Sequence, residues 1–128
     1  MTFMTMLTGM AGILLLITFG GREGNSLPPW AFQHWIHSHE EDRAGTEVFR
    51  SARYPFPPAR GRTGFELKQS GEFIEFRIGS DDRLPEEVRG KWELKERSKI
   101  YVELGRERRS YVLYIVSLET DSVRLRRE

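Results

Sequence analysis

Residues 27–128 predict an all-β fold, a small antiparallel eight-stranded up-and-down meander barrel. Three observations carry that expectation. Apolar residues recur at every second position in short runs, and no window sustains a helical period. Gly and polar pairs punctuate the runs. The connections between them mostly span two to six residues, too short for a parallel crossover, so sequential strands must pair antiparallel. Curling such a sheet shut hides one apolar face of every strand and removes its edges.

The first strand is expected at 35–41, from Trp35 to Glu41, and the second at 46–50 around Val48 and Phe49. Residues 52–62 carry three prolines and three arginines and read as a loop, because proline cannot donate to a central ladder. Residues 64–68 alternate with Phe65 and Leu67 on one face, Ser70-Gly71 turns the chain, and 73–78 return with Ile74, Phe76 and Ile78 on one side. The stretch 79–89 reads as a charged loop leading into 91–95. Arg97-Ser98 turns into 100–104, residues 105–110 form a polar connection, and 111–118 are apolar on both faces. Thr120-Asp121 then turns into the last strand, 123–126.

The chain divides in two. All of the 20 Lys/Arg and 19 Asp/Glu lie after Gly21, and residues 1–26 form a separate apolar segment centred on Ile13-Leu14-Leu15-Leu16-Ile17. As a secretory signal this segment has an h-region but no basic n-region. As a membrane anchor it barely reaches the ~20 apolar residues that a span needs, with Arg22 on the flank expected to face the cytoplasm. A start codon placed too far upstream, or a helix packed elsewhere, are the other readings. The barrel is accordingly expected to be secreted, periplasmic or membrane-anchored if 1–26 are genuine, and cytoplasmic otherwise, with membrane contact only through that segment.

The pattern resembles the lipocalin-like (calycin) group, in particular small bacterial lipocalin-like proteins of uncharacterised function. The resemblance rests on Trp35, the run His37-Ser38-His39-Glu40-Glu41-Asp42, Phe56-Pro57-Pro58-Ala59-Arg60-Gly61-Arg62, Gly64-Phe65-Glu66, Asp81-Asp82-Arg83, Gly90-Lys91-Trp92 and Val123-Arg124-Leu125-Arg126. Lipocalins open their first strand with G-x-W; here Gln33 stands at the Gly position and Trp35 at the Trp. The resemblance implies a closed barrel with an apolar small-molecule cavity, and Arg124 or Arg126 lying across the Trp35 indole.

Composition narrows the function classes. With no Cys, disulfides, thiolate metal sites and cysteine nucleophiles are excluded. A net charge of +1, with Glu107 interrupting the basic run at 106–109 and Glu128 following the one at 124–127, gives no electrostatic footprint for nucleic acid. No G-x-S-x-G setting or phosphate-cradling loop occurs, so no catalytic residue is assigned and a non-enzymatic binding module is expected.

Its first expected ligand is a small apolar or amphipathic molecule at the barrel mouth, lined by Trp35, Phe76, Trp92 and Tyr114. Arg60 and Arg62 would reach the rim, there fixing an anionic head group or pairing with Asp81, Asp82, Glu86 and Glu87. The alternative is a divalent metal, the only cofactor considered. On a strand His37, His39 and Glu41 share a face and offer two imidazoles and a carboxylate. A structural or protein-interaction domain without a small ligand is the third reading. Pro55 to Arg60 also matches P-x-x-P-x-R, read as a stiffened loop.

Overall fold

A computed structural model describes residues 27–79 and 85–127. The expectations for 1–26 and for Asp81, Asp82 and Arg83 fall outside them. The strands are β1 (His34–His37), β2 (Glu47–Ser51), β3 (Gly64–Leu67), β4 (Glu72–Ile78), β5 (Pro85–Lys95), β6 (Lys99–Leu104), β7 (Arg109–Leu118) and β8 (Ser122–Arg127). They close into one antiparallel barrel in the order β1-β2-β8-β7-β6-β5-β4-β3. Among the described residues no helix is long and apolar enough to cross a membrane.

From β3 to β8 the barrel is the expected meander. The β1–β2 hairpin, however, is inserted in the reverse sense, so β2 pairs with β8 and β1 pairs with β3. The proline-rich segment 52–63 makes this order feasible, because it is long enough to carry the chain past β1 from the end of β2 to the start of β3. Arg62 pins it there, donating to the His37 carbonyl at 3.1 Å and to the Glu40 carboxylate at 2.7 and 2.9 Å.

Two strand boundaries differ from expectation. The first strand stops at His37, and His39–Glu41 form a 3-10 turn. Side chains explain the stop: the Ser38 hydroxyl donates to Glu41 (2.7 Å), and Asp42 accepts the Val48 amide (2.9 Å). Such local bonds compete with ladder pairing. Conversely, β5 starts at Pro85, because residues read as a charged loop pair with β4 from Pro85↔Ile78 to Lys91↔Glu72. Register outweighs composition there, and the charges stand on exposed positions.

The interior is aromatic and aliphatic. Rings step across it from His37 to Phe49 (4.9 Å between centroids), Phe49 to Phe65 (4.9 Å), Phe65 to Phe73 (5.8 Å) and Phe73 to Tyr111 (6.4 Å). Leu94, Ile100, Val102, Leu104, Leu113, Val123 and Leu125 complete the core. Buried aromatics of this size dominate the burial energy. A Cβ on Gly90 would run into the Glu103 carbonyl oxygen, so only glycine permits the close approach of β5 to β6 there.

Within β4 the inward set is Phe73, Glu75 and Arg77, not the apolar set. Register puts Phe73 beside Leu67 and Glu75 beside Phe65, both core positions. Ile74, Phe76 and Ile78 therefore lie on the outer wall, where the His34 ring covers Phe76 at 4.0 Å. Burial pushes the His34 imidazole below its ordinary pKa, against the pull of Glu66 and Glu87.

Candidate functional site

The alternating strand directions define two barrel ends. At the first, the turn Pro29–Ala31 seals the opening. The buried Trp35 indole donates to the Ala31 carbonyl at 3.0 Å, and the Gln33 amide reaches Thr120 at 3.3 Å. Phe32 lies 6.0 Å from Trp92, whose indole donates to the Lys68 carbonyl at 2.8 Å. Beneath this plug, Leu27, Ala31, Trp35, Phe65, Leu67, Ile100, Ile115, Leu118, Val123 and Leu125 enclose only about 10 Å³. That is room for one water at most, far below a small-molecule pocket.

The opposite end is closed by charge. The Tyr111 hydroxyl of β7 donates to Glu75 of β4 at 2.6 Å, a chord across the barrel interior. Glu75 also accepts from Arg77, and Arg77 makes a forked pair with Glu107 at 2.7 and 2.9 Å. Arg109 joins Glu107 at 3.3 Å, while Arg127 binds Glu47 at 2.9 Å and stands 5.5 Å from the Tyr111 ring. Burial pushes the Glu75 carboxyl up, but the bonds from Tyr111 and Arg77 outweigh it and hold the group below its ordinary value. Burial, reinforced by the Glu75 carboxylate, raises the Tyr111 phenol. Among the described residues every buried side-chain polar atom has a partner. Sequence reasoning missed this network, although Glu75 and Arg77 alternate with Phe73 in one run.

The metal expectation required one strand face, and that face is not formed. With the chain turning at Ser38, His37 instead bonds Asp42 through Nε2 at 2.9 Å and stacks on Phe49. His39 is exposed, and its nearest carboxylate, Glu40, is 3.7 Å away. Glu41 is clamped by both ends of the Arg50 guanidinium at 2.7 and 2.9 Å, which holds its carboxyl down at about 2. Among the described residues no group of three or more His, Cys, Asp or Glu converges on a metal position.

The proposed ligand-lining residues are likewise dispersed. Trp35 is buried in the plug and Trp92 flanks it. Phe76 faces outward, as does Tyr114, which pairs across strands with Lys99 and Arg126 and has the Lys99 ammonium 5.4 Å from its ring. Arg62 is spent on Glu40 and two carbonyls rather than on the acidic loop, and Arg60 stands exposed on the 52–63 segment. Neither Arg124 nor Arg126 covers the Trp35 indole; both are exposed, alternating with the buried Val123 and Leu125.

A broad concavity lies on the outside. Between Pro85 and Gly90, β5 pairs among the described residues only with β4, since β6 meets it from Lys91 onward. A groove of about 860 Å³ runs beside this half of β5, walled opposite by Glu103 and the turn Gly105–Glu107. The Trp92 amide bonds Gly71 on the β4 side, so strand alternation points the main-chain groups of Glu87 and Arg89 toward the groove. Searches for similar proteins find no matching family model, no matching curated protein and no matching solved structure.

Proposed function

We propose that the chain is a non-enzymatic, lipocalin-like barrel that acts as an interaction domain through its outer surface, not as a carrier of an apolar molecule in its interior. The observation that supports this reading is the filled centre: an indole plug at one end, a paired charge network at the other, and about 10 Å³ between. Closure of this kind suits a rigid scaffold whose exposed positions do the recognising. Native mass spectrometry of freshly purified protein tests it. The expected spectrum shows the bare chain mass; a stoichiometric co-purifying lipid-like adduct would overturn the reading.

A second, small-molecule reading is favoured by one observation, the volume of the outer groove beside β5. Its walls carry Glu86, Arg89, Lys91, Glu103 and Arg106, so a molecule seated there would be polar rather than apolar. Titration with charged and with apolar small-molecule libraries, read by chemical-shift changes at Val88 and Gly90, separates the two.

A further inference from the structure

We propose that the plugged end of the barrel rests on an anionic lipid surface, adding a folded contact to whatever the first 26 residues do. This goes beyond the interaction-domain reading and does not depend on which partner that surface serves. Leu27, the first described residue, packs against the core beneath the plug at this end of the barrel. The turns that share the end are fixed by contacts to the plug: Gln33 to Thr120, Trp92 to Lys68, and Ser51 to Asp121.

These turns are basic. Arg53, Lys68, Lys95, Arg97 and Lys99 stand there against Glu72, Glu96, Glu119 and Asp121, a surplus of one positive charge. Lys99 is paired with Glu96 at 2.9 Å and Lys95 with Glu93 at 4.0 Å, but Arg53, Lys68 and Arg97 form no ion pair among the described residues. Half-exposed Trp30 and Phe32 sit among them, the aromatic type that settles at a membrane–water boundary beside Lys and Arg. Val116, 51% exposed, adds apolar surface near the same end.

A second observation comes from the β5–β6 turn. Glu96 and Arg97 both adopt left-handed backbone, with φ of 57° and 65°. A hairpin of that geometry favours Asn-Gly, yet the tip carries a charged pair. Strain kept at an exposed tip fits a tip that touches something.

The chain has no cysteine, so single labels are unambiguous. Full-length protein carrying an environment-sensitive dye on Thr120→Cys, or on Arg106→Cys at the far end, is reconstituted with vesicles holding about 30% phosphatidylglycerol. Brominated lipid should quench the dye at position 120 and leave position 106 unaffected. In flotation assays Arg53, Lys68 and Arg97 changed together to Glu should lower affinity for these vesicles by about 100-fold. Neutral phosphatidylcholine vesicles should bind both forms equally. The paired change Glu96→Asn with Arg97→Gly leaves the net charge unchanged and should raise Tm with anionic-vesicle affinity held within about twofold, which separates lipid contact from folding. Equal quenching at both positions, affinity unchanged by charge reversal, or tighter binding to a single-stranded oligonucleotide than to the vesicles would each overturn the proposal.

Discussion

The two ends of this barrel reach closure by opposite means. One is sealed by apolar surface, with indole hydrogen bonds orienting Trp35 on Ala31 and Trp92 on Lys68. The other is sealed by ionic and phenolic groups that turn inward and neutralise one another, Tyr111 and Glu75 at the centre and Arg77, Glu107, Arg127 and Glu47 around them. The apolar seal draws on burial, which is non-directional and insensitive to pH. The charged seal depends on geometry and on protonation, because an unpaired buried charge is expensive. The two ends should therefore fail under different perturbations.

The largest effect belongs to the apolar end. Trp35→Ala removes a fully buried ring and should lower unfolding free energy by ~3–5 kcal/mol in urea titrations. Gly90→Ala comes next, at roughly 1–3 kcal/mol, since the added methyl meets the Glu103 backbone rather than a movable side chain. Tyr111→Phe at the charged end removes one hydrogen bond to Glu75 and should destabilise by about 1–2 kcal/mol.

The smallest effect is the most diagnostic of the contrast. Glu40, Glu41 and Glu75 all have depressed carboxyl pKa values, Glu40 and Glu41 at about 2 through hydrogen bonds from Arg62 and Arg50. A carboxyl depressed in the fold binds protons more readily when unfolded. Its stabilisation is thus complete above about pH 4.5 and is lost as pH falls toward 2. Tyr111 is raised, so its share persists below about pH 10 and fades above it. Denaturation curves from pH 2 to 11 should show both flanks. Tyr111→Phe should remove the alkaline one, and Trp35→Ala should shift the whole curve without changing its shape.

Much of the wall was legible in the sequence because alternation is a local signal. The run from Phe65 to Leu67 and the turns at Ser70-Gly71, Arg97-Ser98 and Thr120-Asp121 needed no tertiary information. What the sequence left hidden was the choice between faces. In β4, Ile74, Phe76 and Ile78 make the more apolar set, yet Phe73, Glu75 and Arg77 point inward because cross-strand register with β3 decides the face. The same blindness concealed the charged seal. The His37, His39 and Glu41 alignment failed for a different reason: the Ser38 hydroxyl bonds the Glu41 carboxylate, Asp42 accepts the Val48 amide, and the chain turns before the second histidine.

The claim on which the rest stands is that the interior is full. Fluorescence titration with 1-anilinonaphthalene-8-sulfonate tests it most directly, using the native chain beside Trp35→Ala. The account predicts no saturable binding to the native protein and a saturable one-site signal only in the variant, whose missing indole leaves an apolar void. Stoichiometric, saturable binding by the native barrel would contradict it.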